Sequence, residues 1–289
     1  MASRQQIKRR IGSVRNTRQI TKAMQLVAAS KLRHAQDIVV RPRQYSLLAR
    51  EILTRLRQLA ADESELHLFS ARPVKRRLII AITSDLGLAG AYDANVIRSL
   101  IHEAQADRSK NIKTSVVAVG RKSAQAASRI TGLEVEAVYT KMPDKPTADE
   151  LRPILTSVVN MFAEGHVDQV DMIFTKFISS VNQQVELHRL LPAGFEETEL
   201  NDELSRAEVE PSAGALLKAT ALRLLESQIY QAFLEAIASE QSMRMIAMKN
   251  ATDNATDLID DLTLVYNNAR QAAITQELAE ITGGAEAMK

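Results

Sequence analysis

The segment from Ser84 to Gly90 comes closer to a ligand-binding loop than any other part of this sequence. Gly87 and Gly90 follow an apolar run, and glycines at the start of a helix expose backbone amides that bind phosphate. Two glycines do not complete the three-glycine dinucleotide fingerprint, and the sequence has no Gly-x-x-x-x-Gly-Lys-Ser/Thr phosphate loop. The sequence therefore favours a structural turn over a nucleotide site, and we predict no cofactor.

Other residue types with catalytic or metal-binding chemistry are scattered along the chain. The absence of cysteine excludes disulfides, thiolate catalysis, zinc–sulfur sites and iron–sulfur clusters. Two carboxylate pairs, Asp260-Asp261 and Glu196-Glu197, fall on predicted surfaces, where solvation explains them better than acid–base catalysis. The histidines form no pair at the i, i+4 spacing: His34, His67, His102, His166 and His188. We therefore predict no catalytic residue and no metal site.

The net charge of the chain is only +2, but its N-terminal end is basic and its C-terminal end is acidic. Residues 1–72 hold 15 Lys/Arg and 5 Asp/Glu, whereas residues 212–289 hold 6 and 10. A basic arm neutralises phosphates in nucleic-acid binding. Here the basic residues recur on several helix faces, and aromatic residues are only 4% of the chain, without tryptophan. We expect an acidic protein partner and no nucleic acid, with a basic coiled-coil scaffold or nucleic-acid-binding protein as the alternative.

The C-terminal segment predicts one long helix. No Gly or Pro interrupts the 68 residues from Ala215 to Thr282, which would form a helix about 100 Å long. Such a helix must project from a compact domain, and its apolar face must be covered. An apolar stripe recurs about every 3.57 residues, between the 3.5 of a strict heptad and the 3.6 of a straight helix, which predicts a gently wound helix pair. The stripe comprises Leu222, Leu225, Ile229, Ala232, Ala236, Met243, Ala247, Ala251, Leu258, Leu262, Val265, Ala269 and Ala272.

Residues 1–60 predict a second long helix, capped by Ser3 and bent near Pro42. Because the two stripes lie at opposite ends of one chain, they can cover each other, and the opposite charges add a salt-screened attraction. We therefore predict an antiparallel coiled coil of the two terminal helices. The N-terminal stripe comprises Ile7, Ile11, Val14, Thr21, Met24, Ala28, Ala35 and Ile38.

The middle of the chain alternates β-branched runs with helical segments, which is typical of βαβ units on a parallel sheet. The fold class is therefore mixed α+β and α/β, an antiparallel coiled coil of long N- and C-terminal helices with an inserted Rossmann-like α/β domain. The predicted domains are residues 1–60, 74–195, a linker at 196–211, and 212–289. The predicted strands are 77–83, 113–119, 135–139 and an antiparallel hairpin of 171–178 with 184–191, and the predicted helices are 93–107, 121–131 and 148–165.

Three long blocks resemble the gamma subunit of the F-type ATP synthase, in the right order along the chain. The first is Ile11-Gly-Ser-Val-Arg-Asn-Thr-Arg-Gln-Ile-Thr-Lys-Ala-Met-Gln-Leu-Val-Ala-Ala-Ser-Lys31. The second is Ser84-Asp-Leu-Gly-Leu-Ala-Gly-Ala-Tyr92. The third joins Ser239-Glu-Gln-Ser-Met-Arg-Met-Ile-Ala-Met-Lys-Asn-Ala-Thr-Asp-Asn254 with Tyr266-Asn-Asn-Ala-Arg-Gln-Ala-Ala-Ile-Thr-Gln-Glu-Leu-Ala-Glu-Ile281.

The resemblance implies a non-catalytic subunit, the rotating central stalk of the F1 sector. Its coiled coil would sit inside a ring of alpha and beta subunits in a 3:3:1 ratio, and its other end would hold the epsilon subunit and rest on the membrane c-ring. It would transmit torque between ion flow and ATP synthesis or hydrolysis. The family's beta-subunit contacts carry over to Lys22, Met24, Arg270, Gln271, Thr275 and Glu277.

Two features bear on the detail of this resemblance. The segment Ser205–Ser212 lacks the aromatics that relatives often carry there, so the epsilon or c-ring contact near 205–210 is left open. No transit peptide, signal peptide or membrane-spanning run is present, so we expect a peripheral protein on the cytoplasmic face of a bacterial plasma membrane.

Besides the central stalk and the basic scaffold, a third hypothesis for the function is a small-molecule enzyme in the α/β domain.

Overall fold

The computed structural model describes residues 4–39, 52–54, 56, 68–193 and 212–286. The predicted Ser3 cap, the bend near Pro42, the 196–211 linker and the 205–210 contact lie outside these residues. The chain divides into two compact units. The two-helix unit comprises Met1–Ala28 and Arg244–Lys289, and the sheet unit comprises Ala29–Met243. The predicted domain boundaries remain predictions.

Five helices of seven residues or more and five strands make up the described residues. The helices are α1 (Arg4–Val39), α2 (Tyr92–Ser109), α3 (Arg121–Ala127), α4 (Ala148–Ala163) and α5 (Ala213–Glu286). The strands are β1 (Arg76–Ile82), β2 (Lys113–Val119), β3 (Glu134–Tyr139), β4 (Gln169–Phe177) and β5 (Gln183–Leu191). Among these helices, none combines the length and apolar character needed to span a membrane. The uninterrupted C-terminal helix, expected from the run without Gly or Pro, is present.

In the two-helix unit, α1 and α5 pack against each other in opposite directions. Ile7 and Ile11 of α1 form a buried cluster with Ile259 of α5. Farther along α1, the hydroxyl of Thr21 lies 2.8 Å from that of Thr252. Partner numbers on α5 therefore fall as numbers on α1 rise, so the pairing is antiparallel, as the sequence predicts.

Beyond Ala251, the predicted stripe on α5 is confirmed at Leu262 and Ala269, which pack on the seam, and wrong at three positions. Leu258 and Val265 are 46% and 51% exposed, and Ala272 is also exposed; each lies one residue before a seam position. The buried and half-buried positions are Met248, Thr252, Ala255, Ile259, Leu262, Tyr266, Ala269 and Ala273. Their spacing alternates between four and three residues, which is the heptad seam of a helix pair.

The sheet unit is built on five strands in the order β3-β2-β1-β4-β5. Strands β3, β2, β1 and β4 pair in parallel, and β5 pairs antiparallel with β4 at one edge. Both the parallel sheet and the hairpin were predicted. Helix α3 ends at Ala127, four residues before the predicted end, because the chain continues in turns toward Gly132, which has a φ of +86°.

Both faces of the sheet are covered, which explains why its strands are continuous apolar runs. Leu78 and Ile80 belong to the larger core, which also contains side chains of α4 and of residues 217–236 of α5. Ile79 and Ala81 belong to a second core with Val96 of α2. Successive residues of β1 thus alternate between two hydrophobic layers.

Gly120 joins β2 to α3 at a point where only glycine fits. Its φ is +92°, and a Cβ there would lie 2.2 Å from the carbonyl oxygen of Thr83. This close approach lets the amide of Thr83 donate to the carbonyl of Val119 at 2.8 Å, beyond the end of β1. The glycine therefore allows the chain segments that follow β1 and β2 to pack closely at the carboxyl edge of the sheet.

Candidate functional site

The seam between the two helices of the two-helix unit is thin. We define it by its buried residues Ile7, Ile11 and Ile259, with half-buried Val14, Leu262, Tyr266 and Ala269 packed against them. Burying one isoleucine side chain contributes about 1.5–3 kcal/mol, so three such residues contribute about 5–9 kcal/mol before the entropy cost of ordering the two helices. Thr21 and Thr252 add a hydrogen bond across the helices.

A second set of apolar side chains in the same unit faces solvent. Its members are 46–68% exposed: Ile20, Leu26, Val27, Leu258, Leu264, Val265, Ile274, Leu278 and Ile281. Ile274, Leu278 and Ile281 follow the i, i+4, i+7 spacing that places side chains on one helix face. Single exposed apolar residues are ordinary, whereas a continuous set marks a surface for interaction. This surface was not identified from the sequence, because apolar periodicity alone does not distinguish a helix face that packs on the seam from one that faces solvent.

The predicted contact residues fall into two groups within the two-helix unit. Lys22 is exposed, with its amine 3.2 Å from the side-chain oxygen of Gln25, and Met24 is half-buried. On α5, Arg270, Gln271, Thr275 and Glu277 are all exposed. Thr21 lies beside Thr252, 18 residues before Arg270, or about 27 Å along the helix. The structure therefore separates the two groups along the helix pair.

The two helices also carry opposite charges on their exposed faces. Between Arg4 and Lys22, α1 bears seven basic residues and no acidic one. The facing length of α5 bears four exposed carboxylates, Asp253, Asp257, Asp260 and Asp261. The helix pair thus has one basic and one acidic helix, and its surface differs from side to side.

The glycine-bearing turn after β1 is fixed by two carboxylates that accept hydrogen bonds from the chain's own amides. Asp85 accepts hydrogen bonds from the amides of Arg121, at 3.0 Å, and Lys141, at 2.7 Å. Asp93 accepts from the amide and hydroxyl of Ser84, both at 2.8 Å. These carboxylates stand where a phosphate would bind a helix N-terminus. The turn is therefore structural, as the sequence favours.

No group of three or more His, Asp or Glu side chains within the described residues can hold a metal ion. His102 and His166 lie near the carboxylates of Glu103 and Glu164, at 3.4 and 3.3 Å. Both histidine side chains are mostly exposed, at 78% and 62%. These contacts are ordinary surface pairs.

A buried charge cluster at the amino edge of the sheet was missed by the sequence analysis. Arg77 of β1 donates to Asp171 at 2.5 Å, to Glu103 at 2.9 Å and to Asp107 at 3.1 Å. Arg189 adds a 3.1 Å bond to Asp171. Burial alone lowers the pKa of Arg77, but the surrounding carboxylates outweigh it and raise that pKa above its usual value.

Asp168 ties the start of β1 to the loop before β4. Its carboxylate accepts from the amides of Lys75 and Arg76, both at 2.9 Å, and pairs with Arg72 at 3.1 Å. Burial pushes the pKa of Asp168 up, but these hydrogen bonds and the Arg72 charge hold it below its usual range. Both charged sites stabilise the sheet unit.

Comparison with known proteins identifies the family. The sequence matches the ATP synthase family model over residues 3–288. The ATP synthase gamma chain of Stenotrophomonas maltophilia strain R551-3 is 40% identical over 288 residues, covering 100% of both chains. That of Heliobacterium modesticaldum is 41% identical over 295 residues, also with full coverage of both.

Solved structures agree at the level of the fold. A chain of the Tetrahymena thermophila mitochondrial ATP synthase central stalk and c-ring superposes with a TM-score of 0.62 at 24% identity, covering 80% of this chain and 99% of that one. A chain of the Euglena gracilis mitochondrial ATP synthase assembly superposes with a TM-score of 0.67 at 19% identity, covering 98% of this chain and 93% of that one. With full-length curated relatives near 40% identity, these matches confirm the resemblance, and the chain belongs to the ATP synthase gamma chain family.

Proposed function

We propose that this chain is the rotating central stalk of an ATP synthase, placed within a ring of three alpha and three beta subunits. The observation that carries the proposal is the two-helix unit, whose exposed apolar face at Ile274, Leu278 and Ile281 continues beyond the seam. A surrounding ring would cover that face. Full-length similarity to gamma chains supports the same role.

Torque transmission requires a surface that differs around its circumference. A symmetric rod would contact three sites equally and shift none of them, since only differential interaction between states changes their populations. The basic α1 and acidic α5 give the helix pair unequal sides. As the stalk turns, each beta subunit would meet these sides in succession, so that its nucleotide site changes in turn.

The predicted contacts fit this mechanism. Arg270 is an exposed cation that would pair with acidic groups on beta, and Gln271, Thr275 and Glu277 extend the same length of helix. Lys22 and Met24 would meet a beta subunit about 27 Å away along the pair.

The sheet unit would serve the other end of the stalk. Its parallel order β3-β2-β1-β4 with helices on both faces supports a Rossmann-like assignment. We propose that it binds the epsilon subunit and the c-ring, and that the chain itself performs no bond chemistry. The nucleotide chemistry would then belong to the alpha–beta ring, with the complex on the cytoplasmic face of a bacterial plasma membrane.

Co-expression with alpha and beta partners tests the proposal. We expect the chain to co-purify in a 3:3:1 complex and to be poorly soluble alone, because its apolar face then meets water. Recovery of a stable free chain that binds DNA in a salt-dependent manner, with no alpha or beta attached, would instead establish the alternative of a basic scaffold.

A further inference from the structure

A small pocket in the sheet unit lies between strands β4 and β5 and helix α5. Its volume is about 180 Å³, well above the roughly 10–15 Å³ that one water molecule needs. Met172 and Phe174 of β4 line it with carbon and sulfur. Glu235, Gln228 and Gln231 of α5 line it with amide and carboxyl groups. The pocket plays no part in the proposed contacts with beta.

Glu235 is the unusual residue in this pocket. It is only 1% exposed. Its Oε1 accepts a hydrogen bond from the side-chain amide of Gln231 at 2.9 Å, whereas its Oε2 is buried without a hydrogen-bond partner among the described residues. A buried carboxylate oxygen is costly unless a donor satisfies it. The pocket therefore contains a hydrogen-bond acceptor, Oε2 of Glu235, that a ligand with a hydrogen-bond donor could satisfy.

The charges around the pocket indicate a ligand with one positive charge. Lys176 pairs with Glu186 at 2.8 Å, and both side chains are partly exposed, at 44% and 33%, so this pair lies at the mouth. Besides this pair, the ionisable side chains that line the pocket are His188 of β5 and Glu235 of α5. Glu235 contributes the negative charge that a ligand would balance. A monovalent cation bearing N–H donors meets both needs.

We propose that this pocket binds a small primary ammonium ion, either ammonium or a short alkylamine. One N–H donates to Oε2 of Glu235, and the side-chain oxygens of Gln228 and Gln231 accept the others. Met172 and Phe174 pack against the alkyl carbons. Binding would hold residues 228–235 of α5 against the β4–β5 hairpin.

Hydrogen exchange on the complex assembled with alpha and beta tests the site locally. Ammonium chloride and ethylammonium chloride are compared with sodium, potassium and tetramethylammonium chlorides at equal ionic strength, because tetramethylammonium has the charge without an N–H. At ten times the dissociation constant, amides in β4, β5 and 228–235 whose exchange requires the pocket to open should exchange about tenfold more slowly. Amides of α2 should be unaffected.

Matched variants separate the carboxylate from general charge effects. Glu235→Gln keeps the shape and removes the charge, so the amine-dependent protection should disappear. Asp261→Asn makes the same chemical change at an exposed position of the same helix and should leave the protection intact.

Equal protection by all five salts, no protection by either amine, or protection that survives Glu235→Gln would each overturn the proposal. Should Glu235→Gln fail to assemble, the comparison of salts on the unaltered chain still decides. None of these outcomes depends on torque transmission, so the stalk proposal stands or falls separately.

Discussion

Replacing Ile259 with alanine tests the seam at the α5 residue that packs on both Ile7 and Ile11. Ile259 is 7% exposed and packs on Ile7 and Ile11. Truncating a buried isoleucine to alanine costs about 2–5 kcal/mol. Because the seam is thin and open to solvent on both sides, we expect the lower part of that range, about 2–3 kcal/mol.

The neighbouring Leu258 is the matched control, because it is 46% exposed and off the seam. Leu258→Ala should change stability by no more than about 0.5 kcal/mol. The assay is native-state hydrogen exchange of the full-length chain, kept dilute because its apolar face makes it poorly soluble alone, and followed at amides of residues 4–28 and 244–269. Ile259→Ala should speed their exchange by roughly 30- to 150-fold, since 1.36 kcal/mol is tenfold. Equal effects of the two variants, or a larger effect of Leu258→Ala, would refute the observed seam.

Three further perturbations address the interface and the sheet unit. Arg270→Ala should lower ATP-driven proton pumping by the assembled enzyme while leaving the alpha–beta ring intact, because the residue is exposed and contributes nothing to the seam. Arg77→Met should destabilise the sheet unit by about 3–5 kcal/mol in urea unfolding, since it leaves Asp107 buried without a cation and Asp171 with only the partly exposed Arg189. Asp168→Asn should make the free energy of unfolding less dependent on pH in the acid range. The folded-state pKa of Asp168 is depressed, so its stabilising effect is complete above the unfolded pKa of about 3.9 and disappears as the pH falls through the folded value.

Each of these has its own control. Lys249→Ala removes an exposed cation elsewhere on α5, and the enzyme that carries it should pump protons normally. Equal proton pumping by the Arg270→Ala and Lys249→Ala enzymes would show that Arg270 is not a contact to beta. Arg98→Met, at an exposed position of α2, should be near neutral, and equal stability of the Arg77 variant would show that the charge cluster is dispensable. An unchanged acid limb in Asp168→Asn would assign the acid sensitivity to other carboxylates.

The sheet unit could be predicted from the sequence because its elements carry strong local signals. The apolar run of β1, for example, has both faces buried, so Leu78 and Ile79 are equally apolar although they face different cores. The continuous helix α5 was predictable from the absence of Gly and Pro.

Beyond Ala251, the register of the seam was predicted only in part, correctly at Leu262 and Ala269 and wrongly at Leu258, Val265 and Ala272. Helix α5 carries apolar residues on more than one face there, such as Leu258 beside Ile259, so two stripes fit the sequence about equally well. The seam also includes Thr252, whose hydrogen bond with Thr21 joins residues 231 positions apart. A search for apolar periodicity passes over such a residue.

The buried charge cluster had no local signal at all. Arg77 and Asp171 are 94 residues apart, and each looks like an ordinary surface charge in its own segment. They meet because β1 and β4 are parallel neighbours in the sheet. Only the strand order, which a single sequence does not specify, brings them together.

Rotation of this chain within an immobilised alpha–beta ring is the most direct test of the account. The chain has no cysteine, so Lys110→Cys, at an exposed position, provides a single attachment point for an optical probe. On addition of ATP, the probe should turn in one direction, in steps set by the threefold ring. A probe that remains stationary while the same complex hydrolyses ATP would contradict the claim that this chain is the rotor.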